Sequence, residues 1–316
     1  THSVAYFFLA MIKNHNADKF EVTCYSDGHP SAGDEITEDI RQHSEHWVAS
    51  HEMSDKQLAK RIRADKIDIL IDLLGMTGNT RMGVYAQRAA PIQVNYLGYP
   101  NTSGLSRMDY RVVDNWTDPA GLTEQHNTEA LARITSGFLC YTPALPKTEV
   151  APLPALKNGS VTFGSFNVFP KLTDRIYELW AEILKKVPKS RLLIKAKYFN
   201  EEQNVEQMQA RFEGLGIAKD RLKLIKMSPD TQSHLAVYDD VDIHLDSYPY
   251  NGTTTTCEAL WQGVPTVSLA GDTHRSRVGL SIMSQVGLSE FVAHNENDYV
   301  DIATKVANDL DALSEL

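Results

Sequence analysis

The stretch Val241-Asp242-Ile243-His244-Leu245-Asp246-Ser247-Tyr248-Pro249-Tyr250-Asn251-Gly252-Thr253-Thr254-Thr255-Thr256-Cys257-Glu258-Ala259-Leu260-Trp261-Gln262-Gly263 decides the fold. Val241 to Leu245 is a short apolar run of the kind that forms a buried parallel strand. Ala259 to Gly263 reads as a short helix that ends at a glycine. Between them lies a turn containing Gly252 and four threonines. A helix start exposes unpaired backbone N–H groups and the positive end of the helix dipole. Gly252 lets backbone approach a ligand, and the threonine hydroxyls add donors, so the turn suits an anion and above all a phosphate. Glu258, one turn into the helix, offers acceptors for a ribose hydroxyl. The same residues also read as a threonine-rich helix cap with no ligand.

Outward from this stretch the strand–helix alternation repeats. Strands are expected at Val161–Gly164, Arg191–Ala196, Leu222–Ile225, Val241–Leu245 and Pro265–Leu269. Helices are expected near Thr173–Val187, Glu201–Leu215, Thr231–Tyr238, Thr254–Gly263, Arg275–Val286 and Asp298–Leu313. This is the pattern of a doubly wound α/β domain, whose ligands bind beyond the carboxyl ends of the strands. The first half follows the same logic. Phe20–Tyr25, Ile67–Leu73 (read as a buried strand), Pro91–Leu97 and Asp109–Asp114 are strands. Asp34–Gln42, the segment headed by Ser54, and Val84–Arg88 are helices, and His2–Met11 opens another. Gly75–Thr80 and Gly98–Gly104 are polar, glycine-containing loops at strand ends. Pro143, Pro146, Pro152 and Pro154 break regular structure and mark a boundary. The expected fold class is therefore α/β, with two doubly wound, Rossmann-like domains facing a cleft. They span residues 1–145 and 161–316, joined by a proline-rich linker over 146–160.

Bulk properties exclude several classes. With 316 residues the chain is long enough for two domains. The formal net charge of −10, with no clustered Lys and Arg, argues against nucleic acid as a partner. No apolar run reaches the length of a membrane span, and no signal peptide is visible. Three widely spaced cysteines, Cys24, Cys140 and Cys257, suit a reducing, cytoplasmic compartment and argue against a disulfide framework or zinc site. The chain begins at Thr1 in what reads as the middle of an element, so further chain upstream is expected.

Several residues can carry chemistry. The loop Gly164-Ser165-Phe166-Asn167-Val168-Phe169-Pro170-Lys171 follows the first strand of the second half. A lysine beside a helix start opposes the dipole, which makes sense if an anion lies between them; otherwise Lys171 is an ordinary solvated lysine. His234 can stack on a nucleotide base or sit on the surface. His2 has the pKa range of a general base, or is an inert terminal histidine. Asp240-Val241-Asp242 resembles a divalent-metal motif but stands before its strand, opposite the ligand end, so a turn with solvated carboxylates is the better account. No nucleophile elbow or P-loop appears, and Gly98–Gly104 is too irregular for a dinucleotide fingerprint.

These segments resemble the catalytic region of the protein O-glycosyltransferase family that contains O-GlcNAc transferase and SPINDLY. The resemblance is carried by His2–Phe7, Ala90–Gly104, Met108–Asp114, Phe163–Asn167 with Lys171, and Leu245–Pro265, in one order over nearly the whole chain. The Thr253–Glu258 run is closer to the SPINDLY branch and its bacterial relatives. The resemblance implies a GT-B arrangement and transfer of a sugar, with inversion and without a metal or other cofactor, to Ser or Thr hydroxyls of acceptor proteins. The implied donor is UDP-GlcNAc, with GDP-fucose next. By the same resemblance Lys171 holds the diphosphate, with Asn167, Gly252, Thr253, Thr254 and Thr255 around it. His234 stacks on the base, Glu258 takes the ribose, and His2 is the proposed base. Upstream tetratricopeptide repeats are implied as well. Three positions depart from relatives: Val168 stands where Gln or Asn is frequent, Met76 where His or Tyr is, and Val237 where animal O-GlcNAc transferases have Arg. Two other readings stand beside this one. A nucleotide-sugar epimerase of the same fold would need a carboxylate pair to ionise the sugar, and none is convincing. A degenerate, non-catalytic binding domain is kept open by Val168 and Met76.

Overall fold

The computed structural model describes residues 2–29, 34–78, 80–146 and 149–316. Thr1, residues 30–33, Asn79 of the Gly75–Thr80 loop, and residues 147 and 148 of the proline-rich stretch lie outside the described residues. The chain divides into two compact units, Thr1–Thr142 and Pro143–Leu316.

In the first unit the order is α1 (Ala5–Asn14), β1 (Thr23–Ser26), α2 (Glu35–Gln42), β2 (His46–Ala49), α3 (Asp55–Ala64), β3 (Ile69–Asp72), α4 (Met82–Ala86), β4 (Ile92–Tyr96), β5 (Tyr110–Asp114) and β6 (Ala130–Ile134). Local signals start the helices. Asp34 accepts the Thr37 N–H ahead of α2. Ser54 and Gln57 form a reciprocal capping box on α3. Leu58, Ala59 and Ile62 of α3 then pack with Leu70 of β3 and with Met82, Val84 and Tyr85 of α4. Strands β1 and β2 pair in parallel as one sheet, and β3-β4-β5-β6 form a second parallel sheet. Strands β2 and β6 were not expected: β2 has only four residues, and Ala-Leu-Ala-Arg-Ile has a helix former's composition. One expectation is corrected. The segment read as a buried strand, Ile67–Leu73, is buried at Leu70 and Asp72 only; Ile69 and Ile71 are 50% and 47% exposed. Strand alternation puts successive side chains on opposite faces, and among the described residues the face opposite α3 and α4 is only half covered at β3.

The second unit runs α5 (Pro154–Asn158), β7 (Thr162–Ser165), α6 (Asp174–Lys186), β8 (Arg191–Lys195), α7 (Glu202–Gly214), β9 (Leu222–Ile225), α8 (Thr231–Ala236), β10 (Ile243–Leu245), α9 (Thr254–Trp261), β11 (Thr266–Leu269), α10 (Val278–Gln285), β12 (Val292–Ala293), α11 (Glu296–Ala307) and α12 (Leu310–Glu315). All six strands are parallel in the order β12-β11-β10-β7-β8-β9. In order along the chain this is 6-5-4-1-2-3, the doubly wound arrangement, with its switch point between β7 and β10. Every residue of β7, β10 and β11 is buried, as expected of a parallel sheet covered on both faces.

Two further expectations are corrected here. The stretch read as free of regular structure contains α5, with Pro154 in its first turn, where a missing N–H costs nothing. Asp242 is not a solvated turn carboxylate. It is 1% exposed and accepts the N–H groups of Ala155 and Thr162 at 2.7 Å each, tying α5 to the start of β7. Burial raises its pKa. Asp240 does remain exposed and pairs with Lys223.

Candidate functional site

The loops after β7 and β10 leave the sheet side by side, because those strands are neighbours with opposite directions of winding. This is where an open α/β sheet makes its ligand crevice. Among the residues proposed from sequence, Asn167, Lys171, Gly252 and Thr255 meet here. Leu172 and Pro249 form an isolated backbone bridge between the two loops. Thr173 Oγ1 also donates to the Tyr248 carbonyl at 3.1 Å.

Asp246, at the end of β10, folds the turn. Its Oδ1 accepts the N–H groups of Ser247 at 2.8 Å and Gly252 at 2.6 Å, and its Oδ2 accepts the Ser268 hydroxyl at 2.8 Å. The Asp246 carbonyl is held by the Tyr299 hydroxyl at 3.0 Å, which in turn accepts the Trp180 indole N–H at 3.1 Å. The turn therefore hangs on the hydrophobic core. Asn251 is fully buried and bonds to the Ser247 carbonyl and the Gly279 N–H.

Lys171 points into this turn. Its Nζ donates to the Asn251 carbonyl at 2.7 Å and sits 3.9 Å above the centre of the Tyr250 ring. Burial lowers its pKa to about 8, and the Asp246 charge partly offsets the fall. Burial likewise raises Asp246 to about 6, opposed by its hydrogen bonds and by Lys171. The solvated-lysine reading thus fails. An ammonium has three donors; the one to Asn251 fixes its position, leaving two for an anion.

The cap reading of the threonines fails too. Thr253 is the N-cap of α9, yet no side chain caps that helix start. Thr255 Oγ1 instead donates to Asn167 Oδ1 at 3.1 Å, and Thr256 Oγ1 is buried with no partner among the described residues. A Cβ at residue 252 would lie 2.6 Å and 2.7 Å from the Thr256 and Thr255 hydroxyls, so only glycine fits this turn.

His234 and Glu258 come together, with an unforeseen partner. Lys195, the last residue of β8, is 2% exposed. Its Nζ lies 2.6 Å from His234 Nδ1 and 2.7 Å from Ser228 Oγ. Burial lowers the pKa of Lys195, while Glu258 raises it. An ammonium can only donate, so His234 accepts at Nδ1 and carries its proton on Nε2. That N–H meets Glu258 Oε2 at 3.1 Å, where the Tyr238 hydroxyl also arrives at 3.2 Å. The sequence did carry a signal for Lys195: a charged residue following the apolar run Leu192–Ile194, at the ligand edge of the sheet.

Of the departures, Val168 is 60% and Met76 50% exposed. Val237 packs against the apolar cluster of Phe166, Leu193, Leu235 and Tyr238. In the first unit His2 accepts the Val4 N–H at Nδ1, 3.3 Å away, and its pKa is lowered chiefly by partial burial. Among the described residues no group of three or more His, Cys, Asp or Glu is gathered to hold a metal ion. No helix there is long and apolar enough to cross a membrane.

Comparison with known proteins places this geometry. The sequence model of glycosyl transferase family 41 matches residues 1–142 and 152–316. A relative from Arabidopsis thaliana, named as a probable UDP-N-acetylglucosamine–peptide N-acetylglucosaminyltransferase SPINDLY, is 41% identical over 318 residues. The match covers 100% of this chain and 35% of the relative. The corresponding SEC protein of the same plant is 29% identical over 97% of this chain and 32% of its own length. The chain thus spans about a third of the curated relatives it matches. A solved O-GlcNAc transferase of Thermobaculum terrenum superposes with a TM-score of 0.92 at 35% identity, over 99% of this chain and 59% of that one. Staphylococcus aureus TarM, at 13% identity and a TM-score of 0.53, shares the fold alone. The chain belongs to glycosyl transferase family 41.

Proposed function

We propose that this chain is the catalytic part of a protein O-glycosyltransferase, which moves a sugar from a nucleoside diphosphate sugar to the Ser or Thr hydroxyl of an acceptor protein. The observation that carries the proposal is Lys171. It is a half-buried lysine whose pKa burial lowers to about 8, held by the Asn251 carbonyl two residues ahead of the uncapped start of α9, at the switch point of its sheet. Such a cost to the ammonium is retained where an anion repays it.

In the proposed reaction the acceptor oxygen bonds to the anomeric carbon as the bond from that carbon to the diphosphate oxygen breaks. Attack from the opposite face inverts the anomeric centre. Charge grows on the departing diphosphate. Lys171, the free N–H groups of α9 and the hydroxyls of Thr253, Thr254 and Thr255 meet that charge as fixed donors and need no metal. His234, clamped between Lys195 and Glu258, presents a fixed ring to the base. Glu258 retains its other carboxylate oxygen for the ribose. His2 takes the acceptor proton; its Nδ1 is engaged by the Val4 N–H, which leaves Nε2 for that role.

UDP-GlcNAc is the first donor and GDP-fucose the second. The second reading is favoured by Val237, which lies in an apolar cluster and offers no cation near the base. Titration with UDP, GDP, UDP-GlcNAc and GDP-fucose, with and without EDTA, tests both readings, since a ligand bound only by the folded state raises the melting point. A UDP-selective shift unaffected by EDTA supports GlcNAc transfer, and a GDP-selective one supports fucose transfer. No shift with any of the four would refute the nucleotide site.

A further inference from the structure

We infer, from the reading of this turn as a diphosphate site, that Tyr250 is a positioning residue for the proposed transfer: the face of its ring fixes the Lys171 ammonium where the donor's diphosphate meets it. Lys171 Nζ lies 3.9 Å from the centre of the Tyr250 ring. That is well inside the range of about 6 Å over which the negative face of an aromatic ring attracts a cation. The hydrogen bond of the ammonium goes to a neutral group, the Asn251 carbonyl, at 2.7 Å. Asp246 favours the charged lysine, but its carboxylate oxygens are taken up by the Ser247 and Gly252 N–H groups and the Ser268 hydroxyl. A lysine ends in a compact charge on a flexible four-carbon stem. One hydrogen bond leaves such a group free to swing about the carbonyl. The ring supplies a second contact, from the residue next to that carbonyl.

The ring stands on a backbone that is itself held. Ser247 Oγ donates to the Tyr250 carbonyl at 2.6 Å. On one side, Pro249 is bridged to Leu172, the residue after Lys171, and the Tyr248 carbonyl accepts the Thr173 hydroxyl at 3.1 Å. On the other, the Asn251 N–H donates to the Arg275 carbonyl at 2.9 Å. The loop that carries the lysine and the turn that carries the ring are therefore tied at residues adjoining both. Lys171 and Tyr250 are each half-buried.

The choice of an aromatic partner has a chemical consequence. A carboxylate at residue 250 would hold the ammonium as an ion pair, and it would repel an arriving diphosphate. A ring attracts the cation without a net charge of its own, so the charge of Lys171 stays available as the diphosphate arrives and as it departs. An aliphatic side chain of similar size would cover the ammonium without attracting it. Cover alone disfavours the charged form; the ring face offsets that effect.

Tyr250→Phe and Tyr250→Leu separate the ring face from the hydroxyl and from bulk. The first measurement needs no nucleotide: an NMR titration of Lys171 Nζ in the 316-residue chain. The proton affinity of Lys171 should fall about 3- to 10-fold in Tyr250→Leu and stay near wild type in Tyr250→Phe. Whichever of UDP and GDP the wild type binds should bind Tyr250→Leu about 3- to 10-fold more weakly at pH 7. The alkaline fall of that affinity should move to lower pH, and Tyr250→Phe should follow the wild type. Progressively fluorinated phenylalanines at position 250 weaken the negative face at nearly constant shape, and they serve in place of leucine should that variant not fold. An unchanged proton affinity of Lys171 in Tyr250→Leu and across the fluorinated series would overturn the inference. An equal loss in Tyr250→Phe would do so as well, since the hydroxyl would then carry the effect. Failure of the wild type to bind either nucleotide would instead sink the diphosphate site and this role with it, while the nucleotide-free titration still decides whether the ring holds the lysine.

Discussion

Replacing Lys171 by methionine should cost function and not stability, and the pH dependence separates the two. In the folded chain the lysine is lowered from 10.5 to about 8, chiefly by burial. A shift of that size corresponds to about 3 kcal/mol by which the folded state disfavours the ammonium. Between those two values the unfolded chain binds more protons than the folded one, so this group's contribution to stability rises with pH. Below pH 8 the wild type bears the full cost. Methionine removes it and loses one hydrogen bond to the Asn251 carbonyl, worth about 1–3 kcal/mol. At pH 7 Lys171→Met should therefore lie between parity and about 2 kcal/mol more stable than wild type. By pH 10 that advantage should have fallen by about 2–3 kcal/mol, because the wild-type amine is then neutral in the folded state. Urea denaturation at pH 7, 8, 9 and 10 measures the difference curve. Nucleoside diphosphate affinity at pH 7 should meanwhile fall about 30- to 150-fold, the loss of a charge-assisted bond of about 2–3 kcal/mol. A variant clearly less stable than wild type at pH 7, or a difference curve that is flat or rising with pH, would refute the placement of this lysine.

Asp246→Asn should fold nearly as well as wild type, within about 1 kcal/mol, because an amide oxygen can still accept from Ser247 and Gly252 while its NH2 meets the Ser268 hydroxyl. It removes the charge that holds Lys171 protonated, so the alkaline fall of nucleotide affinity, near pH 8 in wild type, should move to lower pH; calorimetry across pH 6–9 reads this, and an unmoved profile would dismiss the coupling. Gly252→Ala sets a Cβ within 2.7 Å of two threonine hydroxyls. It should lower stability by about 1–3 kcal/mol and weaken nucleotide binding, with a melting point and affinity equal to wild type as the contrary result. Lys195→Met should raise the donor KM about 10-fold with kcat little changed, since Lys195 holds His234 and makes no contact with reacting atoms. Equal loss in kcat would assign it a different role.

The second unit was legible from sequence because its strands are continuous apolar runs buried on both faces, and its helices open on Thr173, Asp230 and Asn295, each of which caps the helix that follows. The first unit was less legible. Ile69 and Ile71 look like core residues by composition, and only the three-dimensional sheet shows that they are about half exposed. At the site, glycine, threonine and the strand–turn–helix order announced an anion turn. Lys195 escaped because its partners are His234, 39 residues away, and Ser228, 33 residues away. Asp242 escaped for a related reason: as sequence it looks like half of a metal motif, and only the fold brings the N–H groups of Ala155 and Thr162 to it.

A buried aspartate at a strand end is a general device in this chain, and that defines what is particular about the site. Asp72 closes β3 by accepting the Leu74 and Gly75 N–H groups. Asp114 closes β5 by accepting those of Trp116 and Thr117. Asp246 closes β10 through Ser247 and Gly252 in the same way. Each carboxylate shapes the loop that follows it, which is a structural task and requires no ligand. At β10 two things are added. Lys171 reaches the same turn from the loop after β7, and α9 begins there with no side-chain cap. The carboxylate then performs two tasks: it folds the turn and keeps a half-buried ammonium charged. Positive charge and free N–H groups converge in a turn already fixed by its own hydrogen bonds, so little reorganisation remains to be done when a diphosphate arrives or departs.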